Sequence, residues 1–141
     1  EVYEKYDASV LAVQEVPHEL TYKYGILSLE DKDTLKVRSI IEKPKVEDAP
    51  SNLASIGRYI LKPKVFDVLE NLSAAPNGEY QLTDALDVLM HEDKVHACLV
   101  KGTYYDIGSQ LGYLKANIMY GLDREEIREP LIEFMKDIVN K

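Results

Sequence analysis

Residues 7–15 read Asp7-Ala8-Ser9-Val10-Leu11-Ala12-Val13-Gln14-Glu15. Val10 to Val13 is a short continuous apolar run with polar residues at its ends. That is the pattern of a strand covered on both faces in a parallel or mixed sheet. The next stretch, Pro17 to Tyr24, has the length of a short turn or a single helical turn, closed by Gly25. Gly25 to Leu29 and Leu35 to Ile41 then read as two strands, and Glu30 to Thr34 between them is turn-rich, so a hairpin is expected. Pro44 to Pro50 is a loop with a proline at each end. Asn52 to Leu61 follows as a strand with Gly57 inside it.

The second half alternates the two periods. Pro63 stands where a helix begins, with Phe66, Leu69 and Leu72 as its apolar stripe. Ser73 to Gly78 is small and turn-prone. Leu82, Ala85, Leu86, Leu89 and Met90 recur at helical spacing. Lys94 to Val100 and Tyr104 to Ile107 read as strands on either side of Gly102. Ser109 is placed to cap a helix over Leu111 to Leu122. Asp123, with Glu126 three residues later, resembles a capping box for a last helix, which Pro130 is expected to interrupt or restart. Strands and helices are mixed throughout, which makes the class α/β.

The 141 residues suit one domain or part of a larger one. A formal net charge of -8 argues against nucleic-acid binding, which needs a basic surface to displace counterions. It leaves room for one small anion held by a single lysine or arginine. No segment is apolar enough over the length needed to span a membrane. No signal peptide is visible, since Glu1 to Asp7 is polar, and the chain reads as cut from something longer. The single cysteine, Cys98, lies in a strand-like run, where a buried small hydrophobe is the commoner use, and it fits a cytoplasmic home.

Few residues carry chemistry by pattern alone. Glu42-Lys43-Pro44 ends a strand, and ligands of open α/β sheets bind beyond strand ends. There Glu42 can accept hydrogen bonds from sugar hydroxyls and Lys43 can pair with a phosphate. A solvated ion pair at a strand edge is the commoner use of such neighbours. Asp106, followed by Ile107-Gly108, suits a Mg²⁺ ion, which takes few carboxylates plus substrate phosphates, although a helix cap or turn is the commoner use of such an aspartate. Gly25 permits close approach of a ligand to the backbone, or simply a turn. His18, His91 and His96 show no metal-ligand spacing and read as surface or partly buried. No dinucleotide fingerprint, phosphate-loop lysine motif or nucleophile elbow is present.

Longer strings say more. They are Tyr24-Gly25-Ile26, Ile41-Glu42-Lys43-Pro44-Lys45, Ala49-Pro50-Ser51-Asn52-Leu53-Ala54 and Gly57-Arg58-Tyr59-Ile60-Leu61. Gly78-Glu79-Tyr80-Gln81-Leu82-Thr83-Asp84-Ala85, Tyr105-Asp106-Ile107-Gly108-Ser109 and Leu111-Gly112-Tyr113-Leu114-Lys115-Ala116-Asn117 follow. In this order and spacing the series resembles the bacterial-type UTP–glucose-1-phosphate uridylyltransferases, over about Val2 to Leu122. The resemblance implies part of a Rossmann-like nucleotide-diphospho-sugar transferase fold, with a mixed sheet and flanking helices. It implies that residues 1–141 are the carboxyl-terminal, sugar-phosphate-binding portion, with the nucleotide-binding half absent.

The implied reaction joins UTP and glucose 1-phosphate to give UDP-glucose and pyrophosphate, with Mg²⁺. By the matching motifs Gly25 offers its backbone to the sugar, Glu42 binds sugar hydroxyls, and Lys43 binds the sugar's phosphate as the catalytic cation. Asn52, Ser55 and Gly57 line the sugar pocket, and Asp106 holds the metal. Two positions depart from the family pattern. Tyr104 stands where a basic residue is frequent, and Ser55 stands where an apolar one is usual. Two alternatives share these strings. One is a related sugar-1-phosphate nucleotidyltransferase using dTTP. The other is a non-catalytic assembly module, with Leu111 to Val139 packing against another subunit as in a homo-oligomer.

Overall fold

The computed structural model describes residues 1–75 and 78–140. Glu1–Lys101 and Gly102–Lys141 form two compact units.

The first unit opens with α1 (Val2–Tyr6), which ends at Asp7 in the left-handed conformation. The apolar run at Val10 becomes β1 (Ser9–Glu15), buried from Ser9 through Leu11 and again at Val13. A short 3-10 helix spans His18–Lys23. The expected hairpin is present as β2 (Gly25–Asp31) and β3 (Lys36–Glu42), paired antiparallel from Gly25↔Glu42 to Asp31↔Lys36. Asp31 fastens the turn: its carboxylate accepts from the Thr34 hydroxyl at 2.8 Å and the Asp33 N–H at 2.9 Å. Those two bonds hold its carboxyl below the ordinary aspartate value.

β4 (Leu53–Ile60) runs antiparallel to β1, with Val13 opposite Ser55 and Leu11 opposite Tyr59. Only Ala12 separates the two β1 partners, so Ile56, Gly57 and Arg58 form a bulge. Gly57 there has φ 70°, a conformation costly for any side chain. β5 (Val95–Leu99) lies parallel to β1, in register from Ser9↔Val95 to Val13↔Leu99. The order β1-β4-β2-β3-β5 returns to β1, through the single pairs Ile26↔Ala54 and Lys36↔His96. The mixed sheet expected from the sequence is therefore present.

Helices α2 (Lys64–Glu70) and α3 (Leu82–Glu92) close the core. On α3 the fully buried residues are Ala85, Leu86 and Leu89; of the rest of the expected stripe Met90 is half-buried and Leu82, at the start of the helix, is exposed. Along α2 and the residues just after it, two of the three expected stripe residues, Leu69 and Leu72, pack on the core, and Phe66 does not. Val65 and Val68 are buried and Leu69 and Leu72 half-buried, an i, i+3, i+4, i+7 series, while Phe66 is 66% exposed. Of the turn expected at Ser73 to Gly78, Pro76 and Asn77 lie outside the described residues.

Two side chains of β5 differ from expectation. His96 is buried rather than superficial. Its ring stacks on Tyr6 at 4.1 Å, and its Nδ1 lies 2.9 Å from the Thr34 carbonyl. A carbonyl only accepts, so Nδ1 carries the proton. Cys98 is half-buried rather than enclosed, because it begins the exposed end of β5.

The second unit is a helical hairpin after an irregular lead. Tyr104 to Ile107 is not a strand: the Asp106 carbonyl and carboxylate are taken up by the turn that starts the next helix. That helix, α4 (Gln110–Leu122), has the expected Ser109 cap, with Oγ accepting from Gly112 N–H at 3.1 Å. Asp123 ends α4 in helical conformation instead of starting the next helix, so the capping box does not form and Arg124 is the N-cap of α5 (Glu125–Val139). α5 runs unbroken through Pro130. The proline removes one backbone donor near the start of the helix, and the turns on both sides keep theirs. Gly121 is buried under Leu131, where a Cβ would come within 2.6 Å, so α4 and α5 approach closely there.

Candidate functional site

The carboxyl end of β3 brings together three of the expected residues. Gly25 begins β2 directly opposite Glu42. Lys43 follows in the left-handed region at φ 44°, rare for a side chain of its kind. Its N–H donates to the Tyr24 carbonyl at 3.0 Å, which holds the chain in that bend before the buried Pro44. Backbone strain of this sort persists where the surroundings over-determine it, and it clusters at binding sites.

The carboxylate of Glu42 is oriented from several sides. Oε2 accepts from the Thr83 hydroxyl at 2.8 Å. A Cβ on Gly25 would sit 3.2 Å from that oxygen and 3.1 Å from Ile40 Cδ1, so glycine leaves the space that the carboxylate occupies. Oε1 faces the Lys43 ammonium at 3.8 Å. Lys43 remains 66% exposed, enough to meet an anion from solvent.

β4 runs beside this corner. Ile26 pairs with Ala54, so the next antiparallel step sets Ser55 across from Gly25. Ser55 is half-buried and its hydroxyl donates to Tyr59 Oη at 3.3 Å. The Asn52 carbonyl accepts from Val16 N–H at 3.0 Å and its side chain is exposed, while Gly57 marks the bulge further along. Among the described residues no hydrogen bond joins Asn52, Ser55 or Gly57 to Glu42 or Lys43.

Asp106 belongs to the second unit. It is exposed, and its Oδ1 accepts from Gly108 N–H at 3.1 Å in a turn that leads to Ser109. Among the described residues no group of three His, Cys, Asp or Glu is placed to cage a metal. A lone exposed carboxylate fits magnesium in the mode where substrate phosphates and water complete the shell, and does not fit an all-protein site.

The sequence reading missed two residues. Thr83 and Asp87 lie one turn apart on the polar side of α3, and both reach β3: Thr83 to Glu42, and Asp87 Oδ1 to the Ile40 N–H at 3.2 Å. Their i, i+4 spacing beside a strong apolar stripe was the available signal.

A mixed sheet carrying charged residues at a strand end, with helices against it, is the arrangement of ligand-binding α/β proteins. Comparison with known families narrows this. The nucleotidyl transferase family matches residues 2–121, and the chain belongs to that family. The chain is 42% identical over 139 residues to the UTP–glucose-1-phosphate uridylyltransferase of Staphylococcus haemolyticus, covering 97% of this chain and 48% of that protein. It is similar to a solved UDP-glucose pyrophosphorylase complexed with UDP-glucose, with 41% identity and a TM-score of 0.80 over 87% of this chain and 48% of the other. A UDP-glucose pyrophosphorylase from Acinetobacter baumannii aligns with 36% identity and a TM-score of 0.82, over 96% of this chain and 47% of that one. The fold is thus the Rossmann-like nucleotidyltransferase fold, and the chain spans about half the length of the relatives it matches.

Proposed function

We propose that the full-length polypeptide containing this chain transfers UMP from UTP to glucose 1-phosphate, and that this chain supplies the sugar-phosphate end of the site. The observation that carries the reading is the corner at Gly25, Glu42 and Lys43: a carboxylate fixed on one oxygen, beside an exposed ammonium, over a residue without a side chain. Its relatives' names add the particular sugar and nucleotide. Glu42 accepts hydrogen bonds from sugar hydroxyls, and Gly25 lets the sugar approach the backbone. Asn52, Ser55 and Gly57 border the pocket along β4.

In the reaction a phosphate oxygen of glucose 1-phosphate attacks the α-phosphorus of UTP. The new P–O bond forms as the α–β bridge breaks, and pyrophosphate leaves with the electron pair. The nucleophile is already ionised, so no general base is required. Catalysis of this kind is positioning and charge neutralisation. Lys43 offsets the charge on the sugar phosphate, which otherwise repels the nucleotide. Magnesium, when bound, neutralises charge on the nucleotide phosphates, and Asp106 is the residue proposed to hold it. A cytoplasmic setting matches these soluble substrates; among the described residues no helix is long and apolar enough to cross a membrane. Assembly of the full-length protein into a homo-oligomer belongs to the same proposal.

The test is pyrophosphate release by the full-length polypeptide with glucose 1-phosphate and Mg²⁺, comparing UTP with dTTP. A marked preference for UTP supports the reading, and a preference for dTTP moves the protein to the thymidylyl branch. The 141-residue chain alone is expected to release none.

A further inference from the structure

We propose that Asp87 is a positioning residue for sugar-phosphate binding, fixing through the backbone of β3 the place from which Glu42 and Lys43 act. The inference deepens the proposed function and rests on its assignment of Glu42 and Lys43 to the sugar phosphate.

In an antiparallel pair, successive residues point their N–H groups alternately toward the partner strand and away from it. Lys43 N–H points inward, to the Tyr24 carbonyl. Counting back, Ile41 faces inward as well, while Ile40 and Glu42 point off the outer edge of β3. Ile40 N–H finds its acceptor there in Asp87 Oδ1 at 3.2 Å, 47 residues along the chain. A backbone donor on a half-buried edge needs such a partner.

The spacing makes the contact a two-point clamp. Thr83 and Asp87 are four residues apart on α3, a rise of about 6 Å. Ile40 and Glu42 are two apart on β3, about 7 Å. The helix face and the strand edge are therefore commensurate. Thr83 meets the Glu42 side chain at the end of β3, and Asp87 meets its backbone two residues earlier. The β2 ladder holds the inner side of this strand end, at Gly25↔Glu42 and through Lys43 N–H to Tyr24. On the outer side Thr83 holds only a side chain, and Asp87 adds the bond to the backbone. Ile40 also packs in the core and lies within reach of Gly25, so a shift at Ile40 passes to the floor of the corner.

The identity of the acceptor matters less than its reach. Asp87 Oδ2 faces His91 Nε2 at 3.9 Å. Asparagine in the same rotamer keeps the Oδ1 acceptor and turns an amide toward the histidine. An uncharged acceptor in place is thus expected to restore function, and a missing or displaced one is not.

The experiment uses the full-length polypeptide, with Asp87→Ala, Asp87→Asn and Glu42→Gln. Pyrophosphate release gives KM for glucose 1-phosphate and for UTP separately, and circular dichroism gives the melting temperature. Asp87→Ala is expected to raise KM for glucose 1-phosphate about 10-fold, the size of one lost hydrogen bond to a charged acceptor, and to leave KM for UTP within about 2-fold. Asp87→Asn is expected to recover most of the loss. If Asp87→Ala does not fold, Asp87→Glu carries the same prediction, because its carboxylate lies one methylene too far out. The inference is overturned if melting falls but both Michaelis constants stay put, if both rise together, or if Asp87→Asn is as impaired as Asp87→Ala. Glu42→Gln separates this from the parent reading: no effect of that change on KM for glucose 1-phosphate overturns the site assignment itself, whatever Asp87 does.

Discussion

Replacing Gly25 by alanine adds one methyl group to the floor of the corner at the end of β3. The added Cβ would stand 3.1 Å from Ile40 Cδ1 and 3.2 Å from Glu42 Oε2. Non-bonded contacts are comfortable from about 3.5 Å, so each neighbour has to recede by roughly 0.3 to 0.4 Å. Ile40 is 5% exposed and packed in the core, whereas Glu42 is the half-exposed end of a flexible side chain. The carboxylate therefore takes most of the displacement, at the expense of its 2.8 Å bond from Thr83. The overpacking costs about 1 kcal/mol, the low end for an added methyl group. Loss of glycine's freedom in the unfolded chain offsets about half of that or more. Folding should hardly change, while sugar-phosphate recognition should suffer. For the full-length polypeptide, the expected result is a melting temperature near that of the parent and a KM for glucose 1-phosphate raised about 10-fold, equivalent to about 1.4 kcal/mol. The assay is pyrophosphate release at saturating UTP, with thermal unfolding alongside. An unchanged KM in a folded variant would refute the claim that Gly25 makes room for an oriented Glu42.

Other perturbations address separate parts of the account. Leu86→Ala, which empties a fully buried position on α3, should cost 2–5 kcal/mol by denaturant unfolding; a loss near zero would show that α3 does not seal the core. The Asp31 carboxyl is held low by Thr34 and Asp33, so its contribution is present above the ordinary aspartate pKa and lost as pH falls through the lower folded value. Thr34→Val should raise the Asp31 midpoint in an NMR titration, and the stability gap between the two proteins should close in acid; an unmoved midpoint contradicts the assigned cause. Asp106→Asn keeps the turn acceptor for Gly108 but loses the charge, so activity should need more Mg²⁺ in the full-length enzyme; an unaltered Mg²⁺ titration removes Asp106 from the metal site.

Much of the fold can be read from local pattern where one period dominates. Val10, Leu11 and Val13 of the apolar run and the stripe at Ala85, Leu86 and Leu89 are buried as their spacing requires. Failures occur where two readings share a pattern. On α2, Phe66 fits the helical period as well as Val65 does, and only packing in the shared core beside α3 selects Val65 and Val68. Asp123 has the composition of an N-cap, yet it ends α4 as its C-cap, and the α4–α5 contact at Gly121 fixes where the chain turns. Tyr104 to Ile107 has strand-forming residues, but the hydrogen bonds of Asp106 go to the following turn. At the site, Glu42 and Lys43 were legible as a charged pair at a strand end. Thr83 and Asp87 were not, because their partners lie more than 40 residues away and nothing local sets them apart from the other polar residues of α3. Contacts of that range depend on how helix and strand are brought together, which no local window contains.

The measurement that tests the central claim most directly is the kinetics of Lys43→Ala in the full-length polypeptide, following pyrophosphate release with UTP and varied glucose 1-phosphate. The account predicts a fall of about 100-fold or more in kcat/KM for glucose 1-phosphate, as expected when a charge partner of the reacting phosphate is removed, with the KM for UTP little changed. A Lys43→Ala enzyme with parental kcat/KM for glucose 1-phosphate would contradict the placement of the sugar-phosphate site at the end of β3.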